Sequence, residues 1–289
     1  MPQYEELSGL DRREVRGRDK RVAGVAKQMK MLPTVQHVQN PDLPPENKFC
    51  GEAILTSWED SYCGTWSRMD VIDSRTRSLF VVSMMSTAGG VGNQFELGWH
   101  APAAMYNGAS LDELECIIQS ARMLAGGPVS GFAQQTITRV LTEHGFIPTE
   151  RPKLDLERRE KSGSEKRVIA REVVRQLDPK SPLLDVSENL PGEFGCEIDL
   201  MILENWYWDQ WERTDVLDWR MRSIVVLGQL IGLNNWDEVR SHVPVALRTG
   251  VTLPELEELT YNAATYMGIP TGRSTRRAVI AGVEDAKRD

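Results

Sequence analysis

The chain is poor in the groups that most often carry chemistry by themselves. Its cysteines, Cys50, Cys63, Cys116 and Cys196, are scattered, and no Cys-x-x-Cys occurs. The expectation is a set of reduced thiols rather than a disulfide frame. There are only 4 histidines, and none has a second histidine at ligand spacing, so no metal centre is expected. No Gly-x-x-x-x-Gly-Lys and no strand-linked Gly-x-Gly-x-x-Gly is present, which leaves nucleotide cofactors without support. Positive charge is not in surplus: the net charge is −8 and the pI about 5.2. That argues against a nucleic-acid or anionic-membrane surface. No apolar run approaches the ~20 residues of a membrane span. The polar N-terminus shows no apolar leader segment, so the expected location is cytoplasmic. Period-2 alternation between hairpin turns is also missing, and the chain is expected to be all-α.

What is present is an internal echo. Gln94 to Gly108 and Trp236 to Gly250 carry Glu, His, Pro, Ala and Gly in one register, as Glu96/Glu238, His100/His242, Pro102/Pro244, Ala104/Ala246 and Gly108/Gly250, each pair 142 residues apart. Upstream, Trp66, Arg68, Asp70, Asp73, Arg75 and Arg77 match Trp211, Arg213, Asp215, Asp218, Arg220 and Arg222 at an offset of 145 residues. Downstream, Leu111, Glu113 and Pro128 match Leu253, Glu255 and Pro270. This reads as a duplication, and such self-similarity precedes any motif argument. A length of 289 residues suits about two domains of ~150 residues.

Four segments follow: an N-terminal charged helix and loop over 1–46, a first repeat over 47–148, a charged linker and helix over 149–180, and a second repeat over 181–289. Apolar residues from Phe49 to Trp66 recur at helical spacing, which predicts an amphipathic helix. Asp73 is a candidate N-cap for a helix, Ser74 to about Ala88, that is apolar nearly all round and so expected to be buried. Ser110-Leu-Asp-Glu113 and Thr252-Leu-Pro-Glu255 read as capping boxes. Gly126-Gly127-Pro128 ends the helix begun at Ser110, and Gly108 closes the helix before it.

Glu96/His100 and Glu238/His242 are i, i+4 pairs, each on one helix face. A carboxylate there fixes the tautomer of the imidazole and raises its pKa, giving a general acid or base near neutrality; the competing reading is an ordinary helix-surface ion pair. Arg77 and Arg222 are candidate clamps for a substrate carboxylate. Arg75 and Arg220 read rather as braces paired to Asp73 and Asp218. Trp66 and Trp211 are core packing or pocket wall, and Trp206-Tyr207-Trp208 lines a pocket or a subunit contact.

These motifs resemble the carboxymuconolactone decarboxylase family in a tandem form. They are Trp66-Ser-Arg68, Asp73-Ser-Arg75-Thr-Arg77-Ser78, Glu238 through Glu257, and Tyr266-Met-Gly268-Ile-Pro270. The second copy fits best; the first has Leu124 and Gly126-Gly127-Pro128 where the second has Tyr266 and Gly268-Ile-Pro270. The resemblance implies two helical repeats packed as an intramolecular pseudo-dimer, assembled into a dimer or trimer of chains. It implies a lyase without cofactor or metal, acting on a small carboxylated lactone or related unsaturated acid. His242 with Glu238, or His100 with Glu96, would be catalytic. Arg222, Arg77, Trp211, Trp66 and Tyr266 would bind substrate, and the second copy is the expected active one. The alkylhydroperoxidase branch of the family needs a Cys-x-x-Cys ahead of the histidine, so thiol peroxidase chemistry is not implied. A hydrolase, isomerase or cyclase on the same pocket remains open, as does a non-catalytic helical scaffold.

Overall fold

In the computed structural model, residues 13–33, 40–42, 51–147, 155–186, 195 and 197–288 are described. The expected first turns of the N-terminal helix, most of the expected 40–45 loop, Phe49, residues 148–154, Cys50 and Cys196 lie outside them. Among the described residues all regular structure is helical, as expected. In chain order the elements are α1 (Gly17–Met31), α2 (Gly51–Thr56), π1 (Ser57–Thr65), α3 (Ser74–Ala88), α4 (Gly90–Tyr106) and α5 (Leu111–Glu143). There follow α6 (Leu156–Arg159), α7 (Gly163–Leu177), α8 (Glu197–Met201), π2 (Ile202–Trp211), α9 (Trp219–Gly232), α10 (Trp236–Arg248), α11 (Leu253–Met267) and α12 (Ile269–Ala286). No helix among the described residues is long and apolar enough to cross a membrane.

The centre is the crossing of α3 and α9. Neither has a solvent-facing side: from Thr76 to Thr87 and from Met221 to Gly232 every residue is buried. A helix without a polar face is stable only where neighbours cover it all round. The crossing is close because small residues meet there. A Cβ at Gly228 would stand 2.2 Å from Ser83 Oγ, and one at Gly232 would stand 2.2 Å from the Met84 carbonyl oxygen. Thr87 donates to the Gln229 carbonyl at 2.8 Å, and the Gln229 amide donates to the Ile117 carbonyl at 2.8 Å.

Local signals in the sequence account for the helix starts. Asp73 and Asp218 accept the Thr76 and Met221 amides at 2.6 and 2.7 Å. Both capping boxes form, at Ser110–Glu113 and Thr252–Glu255. The left-handed Gly126 (φ 80°) kinks α5 where the sequence predicts a helix end, and Gly268 (φ 89°) separates α11 from α12 at the matching place.

Two expectations are corrected. Arg75 and Arg220 do not pair with Asp73 and Asp218, whose carboxylates are held by helix amides; they pair with the capping-box residues Glu113 and Glu255. The amphipathic helix ending at Trp66 is not α-helical throughout. It widens into π1, where the Trp66 amide reaches the Ser61 carbonyl, and π2 does the same, Glu212 reaching Tyr207. Apolar spacing does not distinguish the two geometries, since both bury one face. π-helical turns are rare and gather at functional sites. Each is backed by a helix: α1 against π1, where a Cβ at Gly24 would meet the Trp58 carbonyl at 2.0 Å, and α7 against π2 through Ala170, Val174, Leu203 and Trp208.

Gly232→Ala is expected to lower unfolding stability by about 3 kcal/mol, because overpacking against fixed backbone outweighs the ~1 kcal/mol that alanine contributes as a helix former. Gly228→Ala should cost less, since the atom it first meets is the Ser83 hydroxyl, which a change of rotamer moves aside at the cost of its 2.7 Å bond to the Phe80 carbonyl. Denaturant unfolding of the two variants beside the parent checks the order.

Candidate active site

α4 carries Glu96 and His100 on one face, and His100 turns inward until its side chain is 4% exposed. Its Nε2 lies 3.8 Å from the half-exposed Glu96 carboxylate, and its Nδ1 has no hydrogen-bond partner among the described residues. Two aromatic rings enclose it. Trp66, just after π1, stacks on the imidazole at 5.8 Å between centroids and 7° between planes. Tyr266, near the end of α11, meets it edge-on at 4.9 Å and 89°. The Trp66 indole N–H donates to the Tyr266 hydroxyl at 2.5 Å, and the hydroxyls of Thr65 and Thr265, the preceding residues, are joined at 2.8 Å.

Burial governs the electrostatics here. It pulls the His100 pKa down from 6.5 to about 4, against the expected rise beside a carboxylate. It raises the Glu96 carboxyl, pushes Tyr62 up to about 12, and raises the Tyr266 phenol well above its ordinary value. The imidazole is therefore neutral at pH 7 and both phenols keep their protons. An apolar setting penalises the charged form of each group, and at 3.8 Å the single carboxylate does not offset that penalty.

Beneath the aromatic set lies a buried ion cluster. Arg77 and Glu258 are 0% and 1% exposed and bond at 3.1 Å, while Arg68 bonds the other Glu258 oxygen at 2.6 Å. Arg77 also donates to the Arg68 carbonyl at 2.6 Å. Burial lowers the Arg77 pKa, and Glu258 opposes that shift. Arg77 is thus committed within the fold, and the sequence expectation that it clamps substrate is not met by its position.

The corresponding residues around His242 assemble differently. His242 is 22% exposed; its Nδ1 lies 2.9 Å from the Glu238 carbonyl oxygen and 3.6 Å from the Glu238 carboxylate. Burial lowers its pKa, and Glu238 works the other way. Trp211 is buried, yet its indole N–H has no partner among the described residues, and neither does Arg222 Nε. Arg222 donates to the Arg213 carbonyl at 2.9 Å, and its neighbour is the thiol of Cys116, which burial keeps protonated. The difference follows from the sequence. At the 142-residue offset, Cys116 stands for Glu258, Gln119 for Tyr261, Met123 for Thr265 and Leu124 for Tyr266.

Of the expected site residues, Trp66, Glu96, His100 and Tyr266 come together, with Arg77 below them. Tyr266 belongs to His100 and not to its own half. Among the described residues, no hydrogen bond joins Trp211 to an aromatic hydroxyl or Arg222 to a buried carboxylate, although the buried Tyr207 phenol lies near Glu238 as Tyr62 does near Glu96. Sequence reasoning missed Tyr62, Arg68 and Glu258. Arg68 and Tyr62 repeat as Arg213 and Tyr207, which was a usable signal; Glu258 has no such echo.

Two cavities flank the clusters. One, of about 630 Å³, lies between π1 and α11 and is lined by Ser61, Thr65, Arg68, Tyr261 and Thr265, with Lys20 on its rim. The other, of about 620 Å³, is lined by Cys116, Gln119, Arg158 and Arg213. His100 and His242 line neither.

Residues 202–281 match the Carboxymuconolactone decarboxylase family. A nitrosuccinic acid decarboxylase of Metarhizium robertsii is 37% identical over 71 residues, 24% of this chain and 49% of that protein. A 4-carboxymuconolactone decarboxylase of Acinetobacter baylyi is 31% identical over 87 residues, 30% of this chain and 63% of that protein. The matched segments thus span from about half to less than two thirds of these relatives. The residues matched by the family model include Glu258 and Tyr266.

Proposed function

We propose that the protein is a cofactor-independent carboxy-lyase. It acts on a small carboxylated lactone or related unsaturated acid, and its working centre is His100. The observation that carries the reading is the enclosure of a neutral imidazole between Trp66 and a Tyr266 supplied by the other half of the chain. The similarity to two decarboxylases supports the reaction class. The duplication belongs to the same reading: Ser83 touches Gly228, its partner at the 145-residue offset, as residues near a two-fold axis do.

In this mechanism the substrate carboxylate enters a water-poor aromatic site. It loses hydration there, which favours departure as neutral CO₂. The carbon–carbon bond breaks and its electron pair moves onto the conjugated carbonyl, giving an enolate. Tyr266 accepts from Trp66 and so keeps its own O–H free to donate to the developing oxyanion. A proton from solvent, relayed past Glu96 and through the imidazole 3.8 Å away, then reaches the carbon and completes the exchange of CO₂ for H. At the other centre the oxyanion donor is replaced by Leu124 and the cluster carboxylate by Cys116, so His242 is left as a helix-face histidine.

His100→Gln is expected to lower kcat by at least ~100-fold in a CO₂-release assay on carboxylated lactones and unsaturated acids, the usual scale for losing a positioned acid–base group. Tyr266→Phe should lower it while leaving KM near the parent value, and His242→Gln should stay within about threefold. A loss confined to His242→Gln would sink the assignment.

The pH profile is a second check. A folded pKa of about 4 keeps His100 neutral well below 6.5, so kcat/KM should hold from pH 7 to about 5 and fall only towards 4. Stability has the same sign. The unfolded chain takes up the proton at about 6.5 and the folded chain only near 4, so stability falls with pH across that window. The loss amounts to about 3 kcal/mol and is absent in His100→Gln. Denaturant melts at pH 7 and pH 4 measure it.

A further inference from the structure

The cavity between π1 and α11 has a charge that the chain as a whole does not. The protein carries −8, yet this cavity is bordered by Arg13, Lys20 and Arg68 against Glu59 and Asp60, and Glu59 is already bonded to Arg21 at 2.7 Å. Behind its wall two guanidiniums, Arg68 and Arg77, share the single carboxylate of Glu258. Arg77 is fully buried and commits both terminal nitrogens. Arg68 is 21% exposed and is held in place through its Nε alone, with its guanidinium 4.6 Å above the Tyr261 ring. An arginine fixed on one edge and open on the other is arranged for bidentate capture of a carboxylate. The cavity volume, about 630 Å³, is that of a small-molecule site. Thr65 and Thr265, which share a hydrogen bond across its inner wall, are the residues immediately before Trp66 and Tyr266.

We infer that this cavity is a carboxylate-binding chamber anchored by Arg68, and that its ligand is a small acid with at least two carboxylates. A cation beside the leaving carboxylate would stabilise the ground state and slow loss of CO₂. The arginine therefore suits the carboxylate that is retained, while the one to be lost occupies the aromatic centre. This role in catalysis rests on the His100 reading; the chamber as a binding site does not.

The test uses succinate as an unreactive dicarboxylate probe, titrated calorimetrically into the full chain at low ionic strength. One site per chain is expected. Arg68→Gln should weaken binding at least tenfold, and Arg68→Lys should recover most of it. Arg213→Gln, in the other cavity, should leave it unchanged. Thr265→Met installs the residue found at matching position 123 and narrows the chamber without touching the Arg68–Glu258 bond; it should weaken binding as well, with a melt to confirm folding. In turnover, Arg68→Gln should raise KM at least tenfold with kcat within about threefold. No succinate binding to the parent chain, or the same affinity in Arg68→Gln and Thr265→Met, overturns the inference. CO₂ release that depends on His100 but not on Arg68 overturns it and leaves the catalytic reading standing. Arg68-dependent binding without decarboxylation of any acid supports the chamber and removes the catalytic reading.

Discussion

Everything in this protein depends on how closely α3 and α9 cross. Two helices buried on all faces are brought together only if side chains at their contact are nearly absent, and Gly228 and Gly232 opposite Ser83 and Thr87 meet that condition. A methyl group at Gly232 would push against the Met84 carbonyl, which is main chain and has no rotamer to yield. Larger side chains would widen the crossing and carry α11 away from α3 and α4. Since α11 delivers Glu258 to Arg77 and Tyr266 to His100, a widening of even an ångström at the crossing would open the hydrogen bonds that define the site. The core geometry and the site geometry are one constraint.

That constraint explains why the two centres differ although their home residues match. Trp, Tyr, Arg, Glu and His occur at paired positions in both halves, but each centre is finished by residues of the opposite half. The α11 contribution to the His100 centre is Glu258, Thr265 and Tyr266; the α5 residues at the matching positions are Cys116, which lies beside Arg222, and Met123 and Leu124. The energetic consequence is local. Arg77 has a buried carboxylate, whereas Arg222 has a protonated thiol, and Trp66 has an acceptor where Trp211 has none among the described residues. Removing one partner of a buried pair costs several kcal/mol, so such a centre is tolerated only with further compensation. Arg222 keeps its bond to the Arg213 carbonyl, and the nearby Asp215 charge helps hold its proton.

The helix content, the caps, the break at Gly126 and the buried character of α3 were legible in the sequence, because each is a local signal. Asp73 caps its own helix and Ser110 its own. The partners of Arg75 and the pairing of Tyr266 were not legible in this way. Both are set by which helices meet, and the nearest carboxylate in sequence, Asp73, loses to Glu113, which lies farther along the chain. The assignment of Tyr266 to the second copy failed for the same reason. A residue of one half was compared with its echo in the other, whereas the fold pairs it with neither its own histidine nor its echo. The π turns at Ser57–Thr65 and Ile202–Trp211 left no trace in the apolar pattern, since widening a turn keeps the same face buried.

The sequence pattern also pointed the wrong way on charge, and the reason bears on chemistry. A Glu four residues before a His suggests an imidazolium held by a carboxylate. That inference holds in water, where the penalty for carrying charge is small. Behind Trp66 and Tyr266 the penalty dominates, and the one carboxylate within reach is half-exposed and itself raised by burial. The pair is better described as a neutral imidazole beside a carboxyl group whose own pKa burial raises. A fixed imidazolium would bind an anionic substrate tightly and hold its carboxylate in the ionised state. A neutral imidazole would bind it weakly, leave the bond to CO₂ unopposed, and pass on a proton only when the carbon had become basic enough to take it. The charge that retains a substrate would then have to come from elsewhere, and in the proposed chamber it comes from Arg68, on a cavity wall two residues along the chain from Trp66.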